Sequence, residues 1–188
     1  MKIHALRVLI PAVLLVLSSL LCADGCSSRP KEVAAMTLEL TSPDFSPGGT
    51  IPKPLTCDGD DLSPALQWKA PPSATQSFAL FADDPDAPVG TWVHWVIFNL
   101  PPNLRFLPQN FPKVEQSADG SRQGTNDFGK IGYGGPCPPP GKPHRYFFKL
   151  YALDTKLNLK PGATKKDVER AMQGHILARG EHMGRYSR

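Results

Sequence analysis

The sequence has no HExxH or CxxC spacing and no serine or cysteine in a nucleophile-elbow context, so an enzymatic reading lacks its usual signatures. It also lacks a stripe of Lys and Arg. Its 21 basic and 17 acidic residues are spread along the chain for a formal charge of +4, and the densest run, TKKDVER, mixes signs. A mildly basic surface of that kind can meet anions but does not point to nucleic acid. No internal repeat is visible. The 21 prolines and 16 glycines therefore indicate turns and structured loops, not a collagen-like or disordered chain. Cysteine is scarce, with four in all, and helical periodicity is scarcer. At 188 residues the chain suits one domain with a real hydrophobic core.

The apolar run Val8–Leu21, preceded by Lys2 and Arg7, is too short for a comfortable transmembrane helix and has the layout of an export signal. A cut after Gly25 suits ordinary export processing. The same cut leaves Cys26 as the first mature residue, which resembles bacterial lipoproteins, although the preceding ADG lacks the outer Leu of a lipobox. The expectation is a signal segment over 1–25, a lipidation candidate at Cys26, a tether over 26–35 and a domain over 36–188 in a periplasmic or membrane-anchored bacterial protein. In an oxidising compartment Cys57 and Cys137 are permitted to pair. Two separate buried thiols are the alternative.

Strand signals dominate the domain. MTLELTS (36–42) alternates as a first strand, SFALFADD (77–84) is a strand ending in acid, and TWVHWVIFNL (91–100) and RYFFKLYALD (145–154) are strong strands. Between the first two lies a long turn-rich loop (43–68) of the kind more often functional than idle. One helix is expected, capped by Thr164 with Asp167 three residues on, and with Val168, Ala171, Met172 and His175 on one face. The final ILARGEHMGRYSR reads as a strand or an extended tail. The fold class that follows is mostly β: a sandwich with one or two flanking helices.

Polar chemistry gathers in three stretches. In DDPDAPVG (83–90), Asp83, Asp84 and Asp86 surround a stiff proline turn, and their mutual repulsion requires an offset by a cation, backbone N–H groups, water or a protonated histidine. On the strand WVHWVIFN, strict alternation puts Trp92, His94, Val96 and Phe98 on one face. In GPCPPPGKPHRYFFKLYALD (135–154), His144 and Tyr146 project to one side, at the mouth of an apolar wall continued by Phe148 and Leu150. The prolines hold the loop's few amides, such as those of Gly134 and Gly135, in fixed places. Two imidazoles, a phenol and carboxylates over a rigid floor suit a small anion rich in acceptor oxygens, such as phosphate. Each residue alone has a structural explanation; their joint appearance carries the functional one. His175 and His182 have no converging partners and are read as structural.

DPDAP (84–88), WVHWVIFNLP (92–101) and GPCPPPGKPHRYFFKLYALD together resemble the phosphatidylethanolamine-binding protein family, also called Raf-kinase-inhibitor-like proteins. CDGDDLSPALQW (57–68), HILARGEHMGRYSR (175–188) and the cysteine-bearing loop GPCPPPG are similar to its bacterial branch. The resemblance implies a β-sandwich with a small cavity for phosphate, phosphorylated head groups or similar anions. It also implies that Asp84, His94, His144 and Tyr146 line that cavity, with Asp86 and Gly135–Pro136 at its rim. No cofactor and no metal are implied. A non-catalytic binding module is the first expectation. Alternatives are an inhibitor or scaffold acting on a kinase or serine protease, and a hydrolase built on metal or on Cys137.

Overall fold

The computed structural model of the chain describes residues 36–69 and 71–188. The expected signal segment, Cys26 and the tether lie outside the described residues. Among those described, no helix is long and apolar enough to cross a membrane.

Nine strands and one helix form the framework: β1 (Met36–Thr37), β2 (Glu39–Thr41), β3 (Leu66–Lys69), β4 (Ser77–Asp84), β5 (Trp92–Leu100), β6 (Phe106–Leu107), β7 (Arg122–Gln123), β8 (His144–Leu153), α1 (Lys165–Met172) and β9 (Ile176–Tyr186). They build a six-stranded sheet in the order β1-β9-β8-β4-β5-β7 and a three-stranded sheet in the order β2-β3-β6. The mostly β expectation is met, with one flanking α-helix among the described residues.

β4 is buried at every position. A central strand covered on both faces needs no polar alternation, which is why SFALFADD reads as a nearly continuous apolar run. On one face Phe78, Leu80 and Ala82 pack with Trp68, Trp95 and Phe148 in the core between the two sheets. On the other, Ala79 and Phe81 pack with Val96, Phe98, Val168 and Met172 beneath the helix. The site forms where β4 ends and β5 and β8 begin, so it stands on the best-buried part of the framework.

Two expectations need adjustment and a third is decided between its alternatives. MTLELTS is two strands in different sheets: β1 runs parallel to β9, β2 runs antiparallel to β3, and Leu38 carries the chain across. The crossing passes so close to β9 that a side chain at Gly180 would meet the Leu38 carbonyl oxygen at 2.6 Å. The helix has the expected capping box, with both Thr164–Asp167 bonds in place. His175, however, lies beyond its end, where it is exposed and bonded to Asp154 at 2.8 Å. The C-terminal segment is no tail, since β9 pairs with β8 over most of its length.

Candidate functional site

The three carboxylates of the DDPD turn avoid one another by facing in three directions. Asp83, pointing to the helix side of the sheet, sits 2.9 Å from Lys149 and 3.4 Å from Lys165. Asp84 points to the opposite side, as alternation along a strand requires. Its Oδ2 accepts from His144 Nδ1 at 2.7 Å and its Oδ1 accepts from the Asp86 amide at 2.8 Å. Asp86 turns outward and is clasped by Arg145 through two side-chain bonds, 2.8 and 2.6 Å, and a backbone bond of 2.9 Å. The Arg145 guanidinium holds the Asp86 carboxyl down at about 2. The offset the sequence demanded is thus a separate set of partners for each carboxylate: two lysines for Asp83, an imidazole and a backbone amide for Asp84, and an arginine for Asp86.

His94 reaches the site through an irregularity in β5. Ala82 pairs with Trp95 and Asp83 with Val93, so His94 is the extra residue of a bulge. A bulge re-aims the side chain it carries and resets the phase of its strand. Strict alternation therefore fails here: Val96 and Phe98 lie on the helix side, while His94 faces Tyr146 edge-on with ring centroids 5.2 Å apart. His94 Nδ1 bonds the Gly134 carbonyl at 2.7 Å. A carbonyl only accepts, so this nitrogen carries the proton and Nε2 is the acceptor edge of the neutral ring. Burial pushes the His94 pKa below the ordinary imidazole value, against the Gly134 carbonyl and the Asp84 charge, which favour protonation.

A cavity of about 220 Å³ opens at this point, lined by Asp84, Trp92, His94, Phe128, His144 and the Cys137–Pro139 segment among others. Three segments distant in sequence converge on one hollow. Pro138 and Pro139 form a wall that offers no N–H. Asp84 uses both oxygens on the protein itself, so it orients His144 and meets a bound anion through that ring. The two imidazoles are the donors such an anion would find once protonated.

The remaining expected positions lie elsewhere. Asp86 faces an open groove beside the cavity, because Arg145 holds it there. Tyr146 is buried in the sheet-to-sheet core behind His94, not at a mouth, and its hydroxyl has no partner among the described residues. Burial, with the Asp84 charge, pushes that phenol well above its usual value. Gly134 and Gly135 do not offer free amides: Gly134 N–H donates to the His94 carbonyl and Gly135 N–H to Asp61 Oδ1. Pro136 turns its carbonyl to the Cys57 amide. Gly135 has no space for a side chain, since a Cβ would sit 2.6 Å from the Leu55 carbonyl oxygen, so this segment is the cavity's backing.

Cys57 and Cys137 are joined as a disulfide that ties the 53–61 loop to the proline wall. Cys137, weighed above as a nucleophile, therefore carries no thiol. No group of three His, Cys, Asp or Glu among the described residues is placed to hold a metal ion. Sequence reasoning did not assign Trp92, whose indole N–H is buried without a partner among the described residues, or Phe128, whose ring stands edge-on to His94 at 5.3 Å. Trp92 was within reach, since it lies two residues before His94 on an aromatic strand. Phe128 sits in a loop that carries no such signal.

Comparison with known proteins shows the family and the fold. The family model described as phosphatidylethanolamine-binding protein matches residues 41–187. A UPF0098 protein of Methanothermobacter thermautotrophicus is 54% identical over 144 residues, covering 77% of this chain and 95% of its own. A UPF0098 protein of Pyrococcus horikoshii is 43% identical over 186 residues, covering 97% and 91%. Among solved structures, a phosphatidylethanolamine-binding protein homolog from Chlamydia trachomatis superposes with TM-score 0.74 at 39% identity, covering 82% of this chain and 99% of its own. Escherichia coli YbcL, described as a new member of the mammalian family, gives TM-score 0.74 at 33% identity, covering 80% and 98%.

Proposed function

The chain belongs to the phosphatidylethanolamine-binding protein family, and from that premise we propose that its cavity is a non-catalytic binding site for phosphate-bearing or other small anionic groups, phospholipid head groups included. The observation that carries this reading is the pair of imidazoles lining one hollow, each with Nδ1 committed to a protein acceptor. Because both Nδ1 atoms donate inward, both neutral rings present an Nε2 lone pair. Such an edge repels the oxygen of a fully deprotonated anion and attracts it once protonated.

Binding is therefore linked to protons, and the sign follows. A ring that contacts the anion when protonated has a higher pKa in the complex than in the free protein. Affinity then rises as pH falls from the bound-state pKa to the free-state pKa and is flat outside that window. For His94 the lower limit lies under the ordinary imidazole value, since burial depresses it. Asp84 and Asp83 favour the charged ring by their field, and Tyr146 stays neutral beside it. Sulfate, which does not titrate near neutrality, isolates the protein's contribution. Calorimetric titration at pH 8, 7 and 6 should show sulfate affinity increasing toward pH 6, with net proton uptake between buffers of different ionisation enthalpy. A flat profile, or affinity that rises with pH, rules the reading out.

By the same reading the protein works outside the cytoplasm, exported and held to a membrane through a lipid on Cys26. The disulfide supports this, since such bonds persist in oxidising compartments. Intact-mass measurement of the protein from its native membrane fraction should give a chain beginning at Cys26 with acyl mass added. An unprocessed N-terminus, or a cut at 26 without added mass, removes the lipid part of the proposal.

A further inference from the structure

Immediately outside the cavity, and sharing His144 with it, runs an open groove of about 510 Å³ lined by Asp86, Lys142, Pro143, His144, Arg145 and Arg185. Its charge is unbalanced: three cations face one carboxylate. Arg145 satisfies Asp86, whereas Lys142 and Arg185 have no carboxylate partner among the described residues. Arg145 on β8 and Arg185 on β9 are directly opposed in the register, and like charges in that relation destabilise a strand pair.

Arg185 is fixed from the outer edge of β9. It faces Arg145 in the register without a backbone bond to it, while its N–H donates to Gly49 and its carbonyl accepts from Ile51. Asp86 likewise fixes Arg145 by a two-point clasp. The cationic floor is therefore rigid in its backbone, and His144 lines both the groove and the cavity. An acidic group bound there would balance the two cations that Asp86 leaves unmatched.

From this juxtaposition, which rests on the anion-binding reading above, we propose that the ligand carries two anionic groups: one in the cavity at His94 and His144, the other a phosphoryl or carboxylate group in the groove on Lys142 and Arg185. The ligand class is a small molecule with two acidic groups close together, such as a diphosphate or a phosphorylated carboxylic acid. The cavity selects for one phosphate, and the groove selects among phosphates by what they carry.

The test compares inorganic phosphate with inorganic diphosphate by calorimetric titration on the full chain. The variants are Arg185→Gln, His144→Ala and Arg179→Gln. Arg179, exposed on the same face of β9 but opposite Tyr151, removes the same charge away from the groove. Diphosphate should bind about tenfold more tightly than phosphate, the scale of one added charge-assisted contact. Arg185→Gln should abolish most of that margin, Arg179→Gln should keep it, and His144→Ala should weaken both ligands. Equal affinity for the two ligands, equal losses in the two arginine variants, or an Arg185 dependence seen only on anionic phospholipid vesicles overturns the groove assignment. If phosphate fails to bind while diphosphate binds through Arg185, the cavity reading falls and the groove stands. Phosphate bound without a diphosphate margin has the opposite meaning.

Discussion

Asp84→Ala should abolish phosphate-induced thermal stabilisation while leaving a cooperative unfolding transition, and His144→Ala should do the same. Asp84 does not need to touch the anion for this effect. Its two oxygens hold the His144 ring at 2.7 Å and the Asp86 amide at 2.8 Å, so its removal frees the ring and loosens the turn. The anion then has to order the imidazole itself, and a donor that must be ordered on binding contributes less. Both variants should lose at least roughly tenfold in phosphate affinity. Because the two residues act as one unit, the double variant should be little worse than either single one, a failure of additivity that a merely structural role would not produce. Stability itself should fall by about 1–3 kcal/mol in Asp84→Ala, the scale for leaving buried hydrogen-bonding groups unsatisfied. The two core clusters do not include either side chain, which is why cooperativity survives. Unchanged phosphate affinity in both single variants would falsify the pocket assignment.

Replacing Cys57 and Cys137 together by serine should lower stability by about 2–4 kcal/mol. The bond closes a loop between positions 80 residues apart, and cross-links across long loops remove the most freedom from the unfolded chain. For a domain of this size the loss corresponds to roughly 5–15 °C in melting temperature. The native loop has other ties: Cys57 N–H to Pro136 at 3.1 Å, Tyr133 hydroxyl to Leu55 at 3.0 Å, and the Asp61 clasp on Gly135. The proline wall should therefore stay docked in the folded protein, and phosphate affinity should change far less than stability. Both cysteines are exposed, so a reductant can reach the bond in the native state. Melting curves with and without a dithiol reductant give the same comparison without mutation. Coincident curves, with thiol titration proving reduction, would contradict the expectation.

The long strands were legible because burial leaves a compositional mark, on both faces in β4 and most of β5 and on alternate residues in β8. β4, β5 and β8 appear in the sequence within a residue of where they stand. The phase of β5 was not legible, because a bulge is decided by the partner strand: nothing in WVHWVIFNL says that His94 goes unpaired while Trp95 meets Ala82. The two-sheet path of β1 and β2 was hidden for the same reason, since alternation describes faces and says nothing of neighbours. Asp84, His94 and His144 were legible as a set through their spacing and the family resemblance. What escaped was competition for donors. The Gly135 amide belongs to Asp61, 74 residues away, and only the tertiary path brings that carboxylate near. Asp86 was lost to Arg145 likewise, although the two lie 59 residues apart and each looked unremarkable on its own.

The proline wall also decides how occupancy of the hollow can be observed. Positions 136, 138, 139, 140 and 143 carry no exchangeable backbone proton, so deuterium uptake is silent along the very segment a ligand would cover. Light offers the alternative. Of the three indoles in the chain, Trp68 and Trp95 are sealed in the interior, and Trp92 borders the hollow. Intrinsic emission from that one ring is the built-in reporter of filling.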